Sequence, residues 1–292
     1  MNYIITGSNG WISKNFIQII KKNLPEANIY EINRKNGLSS IMDLVNKRDV
    51  YLIHNVFIRA EKLYDTVSPK KFVKESNDNL DIINNFLQEA DVSGLFYPSS
   101  GSVYKIREKD KNLYSSYSDQ KRKEEDFLIK LSKEKNIKAV VPRIFSSIGP
   151  YLNNPLAFPL SSFIIQAMSN NKINITSKNN NLYSFCSLYN LINVVLSYFS
   201  QSIDRNNKYL LFDAVDYEMN LYEMAKRVAR IYDIKVENIN YDFEDSNVEQ
   251  YIGSSEKYSN LKQEFNLNYK SFNQDLESFN SYLKEKYSDD TV

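Results

Sequence analysis

Short apolar runs alternate with longer amphipathic segments through the first half of the chain. Runs rich in β-branched and aromatic residues predict strands at 3–6, 29–32, 50–54, 95–98 and 139–142. Between these runs, apolar residues recur at helical spacing, first at Ile12, Phe16, Ile19 and Ile20 and later at Leu80, Ile83, Phe86 and Leu87. Strands that alternate with helices predict a parallel sheet with right-handed crossovers, so we predict a doubly wound α/β fold.

The second half of the chain is less regular, and its periodicity predicts helices at 158–168, 189–198, 221–232 and 272–284. The segment 35–47 is too short for a complete strand and helix, so the unit expected there is either vestigial or absent. We predict one doubly wound domain over 1–150 and a smaller, mixed C-terminal lobe over 151–292, from which some segments can return to the sheet.

Charge and cysteine content narrow the possible partners. The chain of 292 residues has 37 Lys and Arg against 36 Asp and Glu, so it lacks the basic field that a nucleic acid would need. Cys186 and His54 are its only cysteine and histidine, which excludes an internal disulfide and predicts no metal site of the zinc type. The sequence has no signal-peptide pattern and no apolar run of about 20 residues, so we expect a soluble, cytoplasmic protein without a membrane partner.

A glycine-bearing turn, Thr6-Gly7-Ser8-Asn9-Gly10-Trp11-Ile12-Ser13, follows the first strand and opens an amphipathic helix. This is the sequence context of a turn that binds the pyrophosphate of a dinucleotide. Gly7 permits the tight turn, Gly10 lets the backbone approach the pyrophosphate, and the helix N-terminus offers free N–H groups to the anion. The residues predicted to bind the cofactor here are Gly7, Asn9, Gly10, Trp11 and Ile12. For Trp11 we favour packing beside the turn over direct contact.

The end of the second strand decides between NAD and NADP. A carboxylate there would accept hydrogen bonds from the ribose hydroxyls of NAD, whereas an arginine favours the extra phosphate of NADP. The position falls on Asn33, followed by Arg34 and Lys35, because Glu31 comes too early. We therefore predict NADPH/NADP+ as the cofactor, bound by Asn33 and Arg34 with Lys35 as a helper. NAD as the cofactor and a merely solvated basic turn are the alternatives.

Tyr117 and Lys121 form a Tyr-x-x-x-Lys pair, but this spacing alone is uninformative. It also occurs at Tyr222/Lys226, Tyr258/Lys262 and Tyr282/Lys286, which we interpret as pairs on ordinary solvated helices. Tyr117 differs because of its place in the chain. It lies between the run Ser99-Ser100-Gly101-Ser102-Val103-Tyr104, at the end of a predicted strand, and the strand that leads to Pro142-Arg143.

Taken together, the motifs resemble the extended short-chain dehydrogenase/reductase superfamily, also described as the NAD-dependent epimerase/dehydratase family. Its members include nucleotide-sugar epimerases, dehydratases and 4-ketoreductases. The landmarks span most of the chain: Thr6-Gly7-x-x-Gly10, the strand from Asp49 to His54, Asn79, Ser100-x-x-Val103-Tyr104, Tyr117-x-x-x-Lys121 and Pro142-Arg143-Ile144-Phe145. The resemblance implies a Rossmann-type sheet, a C-terminal lobe that binds a nucleotide sugar, and a homodimer.

The resemblance also implies a catalytic triad of Ser100, Tyr117 and Lys121, with Ser102 as the second choice for the serine. A free phenol has a pKa of about 10, so proton transfer at neutral pH needs a neighbouring cation. Lys121 can supply that charge and can also hold the nicotinamide ribose, while the serine hydroxyl fixes the reacting oxygen near Tyr117. By the same resemblance His54 is part of the scaffold.

The sequence departs from the family at several positions outside the turn and the Tyr-Lys pair. Lys105 stands where glycine is usual, Ser146 stands where asparagine is frequent, and segment 184–190 echoes the family only faintly. Dehydratases of the family place an Asp-Glu pair where Gly101-Ser102 stands, which disfavours that activity. Cys186 has no histidine or second cysteine near it in sequence and is interpreted as a buried apolar residue.

The leading hypothesis is an NADPH-dependent reductase of a nucleoside-diphosphate 4-keto-6-deoxyhexose, which would supply deoxyhexoses for bacterial surface polysaccharide of the O-antigen type. The alternative is a nucleotide-sugar 4-epimerase that retains NAD and uses the same triad to oxidise and then reduce within one turnover. A non-catalytic dinucleotide sensor is the second alternative, and it is disfavoured because Tyr117 and Lys121 are both present.

Overall fold

The computed structural model describes residues 1–56, 68–104, 113–201, 208–244 and 248–287. The strands are β1 (Asn2–Thr6), β2 (Asn28–Ile32), β3 (Val50–His54), β4 (Val92–Phe96), β5 (Ser99–Ser100), β6 (Lys138–Ile144), β7 (Ser146–Ile148), β8 (Ile173–Asn174), β9 (Leu182–Ser187), β10 (Tyr209–Ala214), β11 (Tyr217–Asn220), β12 (Ile239–Asn240) and β13 (Gln250–Tyr251). The α-helices are α1 (Trp11–Asn23), α2 (Pro69–Glu89), α3 (Leu113–Lys135), α4 (Pro159–Asn170), α5 (Leu188–Ser200), α6 (Leu221–Ile231), α7 (Glu256–Glu264) and α8 (Phe272–Tyr287).

The central sheet is parallel and has the strand order β10-β6-β4-β3-β1-β2, with β5 paired to β6. The chain runs from β1 outward to β2 and then returns across β1 to β3, so the direction of winding reverses between β1 and β3. In open α/β sheets, ligands bind in the crevice at such a switch point, beyond the carboxyl ends of the strands. Thr6 at the end of β1 and His54 at the end of β3 lie in register at this point. The glycine turn therefore opens at the crevice.

Helices cover both faces of the central sheet. On one face, the buried residues of α1 and α5 include Phe16, Ile20, Leu191 and Val195. On the other face, the buried residues of α2 and α3 include Ile83, Phe86, Leu87 and Leu128. Strands that are covered on both faces read as continuous apolar runs, which is the pattern of the first half of the sequence. The predicted doubly wound α/β fold is confirmed.

Two elements of the first half differ from their predicted form. The sequence predicted that the fourth strand begins at Leu95, because Ser93 and Gly94 interrupt the apolar run. In the structure the strand begins at Val92 and includes both residues. Glycine is required at position 94, since a Cβ there would lie 2.8 Å from side-chain atoms of both Phe199 and Tyr51. The segment 35–47 contains a 3₁₀ helix at Leu38–Leu44 in place of a strand and helix, so β3 follows β2 as the next strand.

The second half forms a mixed lobe, and part of it returns to the central sheet. Around β9, the strands β7 and β13 are parallel and β11 is antiparallel. The helices α4, α6 and α8 bury their apolar faces in one common core, whereas β10 and α5 belong to the central sheet and its covering layer. The division into 1–150 and 151–292 stays a prediction. Among the described residues, no helix is both long and apolar enough to cross a membrane.

The prediction that Tyr258 and Lys262 lie on an ordinary solvated helix is wrong for Tyr258 on α7. The side chain is fully buried and stacks on Phe212 of β10, with ring centroids 5.2 Å apart. The Nζ atom of Lys262 lies 4.9 Å from the same ring and pairs with the Asp216 carboxylate at 2.8 Å. Polar sequence around Tyr258 concealed this packing, since a helix of a few turns buries only one narrow face.

Candidate active site

Two physical features require glycine at position 7, in the turn between β1 and α1. Its φ of +64° lies in the left-handed region, which side chains with a Cβ rarely adopt. An added Cβ would also lie 2.7 Å from the carbonyl oxygen of Asn55. Gly10 then closes the turn, because its N–H donates to the Gly7 carbonyl at 2.8 Å. The backbone of this turn is therefore free of side chains at both glycines.

Gly10 is also the N-cap of α1, and no side chain among the described residues caps this helix start. The first turn of α1 contains no acidic residue. Uncapped N–H groups and the helix dipole both favour an anion, so the turn has the chemistry of a phosphate site. Asn9 lies at its exposed tip, where its carbonyl accepts a hydrogen bond from the Asn153 amide at 3.2 Å.

Buried polar contacts hold the turn from below. The Thr6 hydroxyl lies 2.8 Å from Nδ1 of His54 and accepts a hydrogen bond from the Asn55 N–H at 3.2 Å. The Asn55 amide donates to the Ser13 hydroxyl at 2.9 Å, and Ser13 donates to the Thr6 carbonyl at 3.2 Å. Ser13 is fully buried, and its small side chain joins α1 to β1.

His54 acts as a neutral scaffold residue in this arrangement. It is 1% exposed, and its ring stacks on Tyr97 with a centroid distance of 5.4 Å. Burial lowers the pKa of His54 to about 3, and the positive charge of Lys121 contributes in the same direction. The imidazole therefore stays uncharged at neutral pH, in agreement with the structural role predicted for it.

Trp11 packs between the two halves of the chain beside the turn. Its ring lies 5.8 Å from that of Phe158 and 6.5 Å from that of Phe279, and its indole N–H donates to the Gly149 carbonyl at 3.1 Å. These contacts agree with the packing role favoured from the sequence. Asn15 adds a hydrogen bond to the Pro150 carbonyl at 2.8 Å, so α1 also holds the start of the C-terminal half.

The segment after β2 carries two exposed basic residues, Arg34 and Lys35. Ile32 accepts a hydrogen bond from the Ser8 N–H at 3.1 Å, which joins the end of β2 to the glycine turn. Asn33 folds back on its own loop, because its side-chain oxygen accepts from the Lys35 N–H at 2.9 Å. Arg34 and Lys35 are exposed, and both are available to an anion at this sheet edge.

Ser100 ends the short strand β5 and has two identified hydrogen-bond contacts. Its Oγ accepts from the Ser102 N–H at 3.2 Å and lies 3.3 Å from the Tyr251 hydroxyl. Ser102, the second choice for the catalytic serine, has a buried hydroxyl without a partner among the described residues. Ser99 instead donates to the Glu125 carboxylate at 2.5 Å, so the neighbouring serines have different partners.

Tyr117 and Lys121 lie on consecutive turns of α3. The Tyr117 ring contacts Phe72 of α2, with a centroid distance of 5.9 Å. Lys121 is buried, and its Nζ donates to the Pro98 carbonyl at 3.3 Å, directly before the two serines of β5. Its ammonium also lies 4.8 Å from the Tyr97 ring centroid. The structure therefore brings Lys121 to the same sheet edge as Ser100 and the glycine turn.

A carboxylate that the motifs did not indicate contacts Lys121. Oε2 of the buried Glu124 lies 2.8 Å from the Lys121 Nζ. Burial works to lower the pKa of the Lys121 ammonium, but Glu124 and the phenols of Tyr97 and Tyr117 outweigh burial and raise that pKa above its ordinary value. Lys121 therefore stays charged at neutral pH.

A network of charged and phenolic groups lies beside Ser100, and sequence reasoning did not find it. Arg143 donates to both carboxylate oxygens of Glu125, at 2.9 and 2.7 Å, and to the Tyr104 hydroxyl at 2.7 Å. Tyr104 in turn donates to Asp213 at 2.8 Å. Hydrogen bonds with Glu125 raise the pKa of the Arg143 guanidinium. Tyr104 and Arg143 belong to sequence motifs that resemble the family, but the sequence assigned neither of them a role. No sequence motif includes Asp213.

Phe145 fills the space between this network and Tyr251. A Cβ at Gly101 would lie 2.2 Å from the Phe145 ring, and a Cβ at Gly253 would lie 2.4 Å from it. The ring also meets Tyr251 edge to face, at 5.1 Å and 62°. Both glycines are therefore needed for the ring to lie flat against the backbone.

Comparisons with known proteins find similarity in structure. No protein-family model matches the sequence, and no curated protein matches it. UDP-glucuronic acid 4-epimerase from Bacillus cereus, in complex with UDP-glucuronic acid and NAD, superposes with a TM-score of 0.75 at 16% identity, covering 98% of this chain and 100% of that one. GDP-L-fucose synthetase from Naegleria fowleri superposes with a TM-score of 0.74 at 16% identity, covering 100% and 94%.

A dTDP-glucose 4,6-dehydratase from Bacillus anthracis, in complex with NAD, gives a TM-score of 0.73 at 15% identity over 99% of this chain and 98% of that one. All three similarities span nearly the whole of both chains. Identities this low show the fold and leave the activity to be argued from the site. The chain therefore shares the fold of these three enzymes, and the Rossmann-type α/β fold predicted from its sequence is confirmed.

Proposed function

We propose that this protein is an oxidoreductase that uses NADPH to reduce the carbonyl of a nucleoside-diphosphate 4-keto-6-deoxyhexose. The observation that carries the proposal is the contact of Lys121 with the Pro98 carbonyl, which brings the lysine to β5 and Ser100. The charge of Lys121 also acts on His54 beneath the glycine turn. Lys121, Ser100 and the candidate dinucleotide turn thus lie at one edge of the sheet, which supports the proposal.

The turn fits the phosphates of a dinucleotide. Its two glycines leave the backbone bare, and a Cβ at Gly10 would lie 3.0 Å from the Gly7 carbonyl oxygen. The uncapped start of α1 faces the same turn with its N–H groups. Arg34 would bind the additional phosphate of NADPH, and Lys121 would hold the nicotinamide ribose. The bound cofactor supplies the hydride for the reaction.

The triad residues would perform the proton chemistry. Ser100 donates a hydrogen bond to the carbonyl oxygen of the sugar and holds it near Tyr117. Tyr117 gives its phenolic proton to that oxygen, which becomes the hydroxyl of the product. The ammonium of Lys121 then stabilises the phenolate that remains, and solvent returns the proton. Because Glu124 already offsets part of the charge of Lys121, this stabilisation is weaker than that of an unpaired lysine.

Particular residues bear on two other possible activities, those of a dehydratase and of a 4-epimerase. A dehydratase is disfavoured because Gly101, where the family's dehydratases have Asp, has no room for a side chain against Phe145. A 4-epimerase that retains NAD remains the alternative, and the NAD complexes of two similar structures favour it. Asn33 and Arg34 favour the reductase, since no carboxylate stands there to bond the ribose of NAD.

The remaining parts of the proposal concern biological setting. A role in bacterial surface polysaccharide synthesis, a homodimeric state and a cytoplasmic location stay predictions. A non-catalytic dinucleotide sensor is the remaining alternative, and the buried, charged Lys121 beside Tyr117 argues against it.

The experiment is incubation of the purified protein with a panel of dTDP-, CDP-, GDP- and UDP-linked 4-keto-6-deoxyhexoses, with NADPH consumption as the readout. The proposal expects consumption with one or a few of these sugars, in step with formation of a reduced sugar. Turnover of a nucleotide sugar without NADPH consumption, by protein that carries bound NAD, would assign the epimerase instead. Binding of dinucleotide without turnover of any sugar would favour the sensor.

A further inference from the structure

Tyr251 places a phenol at the candidate catalytic serine, and it comes from the half of the chain where the motifs predicted no catalytic residue. Its hydroxyl oxygen lies 3.3 Å from Oγ of Ser100. Tyr251 belongs to β13, which pairs in parallel with β9, so its backbone is held by the small sheet. A side chain that reaches Ser100 from a different sheet can control the orientation of that hydroxyl.

The packing around Phe145 fixes the direction from which Tyr251 approaches. The two rings meet edge to face with centroids 5.1 Å apart. Phe145 has little freedom to move, because its ring lies against the backbone of both Gly101 and Gly253. Tyr251 can therefore lose its hydroxyl without losing the ring contact that positions it, which makes substitution by phenylalanine a clean test.

The donors and acceptors around the Ser100 hydroxyl indicate which group donates in its contact with Tyr251. A serine hydroxyl has one proton to donate and two lone pairs to accept with. The Ser102 N–H already donates to Oγ at 3.2 Å. A phenol, with a pKa of about 10, is a better donor than an aliphatic hydroxyl, so the favoured direction is from Tyr251 to Ser100. With both lone pairs occupied, the proton of Ser100 must be donated to a different group.

We propose that Tyr251 is a positioning residue that makes Ser100 an obligate hydrogen-bond donor to the reacting oxygen of the substrate. A serine held in this way suits a carbonyl oxygen, which can only accept, and it suits less well a hydroxyl that needs an acceptor for its own proton. The inference rests on the proposed function only in taking Ser100 as the group that meets the substrate. The contact between Tyr251 and Ser100 does not depend on which sugar binds.

The direction of the contact can be measured without any substrate. The substitution Ser100→Cys turns the acceptor into a thiol whose ionisation is followed by ultraviolet absorbance. The one natural cysteine, Cys186, is fully buried and common to every protein compared. If Tyr251 donates, it stabilises the thiolate, so adding Tyr251→Phe should raise the thiol pKa by about one unit. The matched control is Tyr258→Phe in the same Ser100→Cys protein, which should leave the thiol pKa unchanged.

A thiol pKa that is unchanged or lowered by Tyr251→Phe would overturn the proposal, because Tyr251 would then accept from Ser100 or make no bond to it. Turnover supplies the second test. In the wild-type background Tyr251→Phe should lower kcat by about tenfold and leave the KM for NADPH unchanged. In a Ser100→Ala background it should cost nothing further, because the interaction is already gone.

An equal loss in both backgrounds would mean that Tyr251 acts independently of Ser100, and it would also overturn the proposal. The two failures remain distinguishable. If the wild-type protein reduces none of the sugars, the proposed function fails, whereas the thiol titration still decides whether Tyr251 directs Ser100.

Discussion

The glycine turn and the surroundings of Ser100 lie at the same edge of the central sheet but are built in different ways. The turn itself is one contiguous segment, residues 6–13. The distant residues that hydrogen-bond to it are Ile32, His54, Asn55, Gly149 and Asn153. The surroundings of Ser100 draw on four elements, α3, β6, β10 and β13, and the last two lie far from the first two in the sequence. The candidate cofactor site is therefore formed by one contiguous motif, whereas the candidate catalytic site is formed by several elements that tertiary packing brings together.

Because of this difference, we expect variants of the two regions to have different effects. A change in the turn should alter dinucleotide binding, because its backbone is the proposed ligand. A change around Ser100 should alter the rate of turnover more than cofactor affinity, because those groups meet the reacting oxygen.

Tyr117→Phe should have the largest effect. General acid catalysis contributes about 10²- to 10⁴-fold, so kcat should fall by that factor while dinucleotide affinity stays close to wild type. Steady-state kinetics and a direct binding titration check the two halves of this prediction. A variant that keeps more than about a tenth of the wild-type rate would remove Tyr117 from the mechanism.

Tyr258→Phe is the matched control for Tyr117→Phe. Tyr258 has the same spacing to a lysine, but its buried hydroxyl has no partner among the described residues. Removal of an unpaired buried hydroxyl leaves nothing unsatisfied, so activity should be unchanged and stability should be unchanged or slightly higher. Loss of activity in this control would show that hydroxyl removal alone is disruptive.

Gly10→Val should weaken dinucleotide binding by more than about tenfold, since a hydrogen-bonded phosphate contact is worth roughly 1.5 to 3 kcal/mol. The new Cβ would lie 3.0 Å from the Gly7 carbonyl oxygen, at the place where the pyrophosphate is expected. Calorimetric titration with NADPH measures the affinity, and circular dichroism checks that the variant is folded. Unchanged affinity in a folded variant would contradict the interpretation of the turn.

Arg34→Ala should separate the two cofactors. An arginine meets a phosphate with charge-assisted hydrogen bonds, but Arg34 is exposed and solvent weakens them. We therefore expect about a tenfold loss of NADPH affinity and little change for NADH, with Lys35→Ala giving a smaller loss. Equal losses for both cofactors, or none for either, would remove the 2′-phosphate from the role assigned to Arg34.

Asp275→Asn tests the packing of the C-terminal half through its pH dependence. Burial raises the pKa of Asp275 from 3.8 to about 6, the nearby Asp216 adds to the rise, and the hydrogen bonds and charge of Ser187, Lys270 and Tyr217 oppose it. A raised carboxyl pKa means that the folded state holds a proton that the unfolded state releases. Stability should therefore fall as pH rises from about 4 to 6 and stay lower above that.

The asparagine variant should lose this dependence and be more stable than wild type at pH 7, by roughly 1 to 3 kcal/mol. Thermal unfolding at several pH values measures the difference. Glu277→Gln, at an exposed position of the same helix, is the control and should change the pH profile little. If Asp275→Asn instead destabilises the protein at neutral pH, the carboxylate makes a favourable charged contact there.

The sequence predicted what local patterns encode. The β1–turn–α1 unit was predictable because glycine freedom, strand propensity and helix periodicity all fall within one short segment. The last strand of the sheet, β10, was missed because nothing local tells a returning strand from a strand of the second lobe. Glu124 and Tyr251 were missed for a related reason. Glu124 belongs to none of the recognised motifs, and Tyr251 reaches Ser100 only because β13 pairs with β9.

We expect the turn and the residues Ser100, Tyr117 and Lys121 to act together in one hydride transfer to a sugar carbonyl. The most direct measurement uses NADPH deuterated at the transferring position, a nucleoside-diphosphate 4-keto-6-deoxyhexose and mass spectrometry of the product. Hydride transfer at this site predicts one deuterium at C4 of the sugar for each NADP+ formed by the wild-type protein, and almost no labelled product with Tyr117→Phe. A converted sugar that carries no deuterium, made by protein that retains bound NAD, would contradict it.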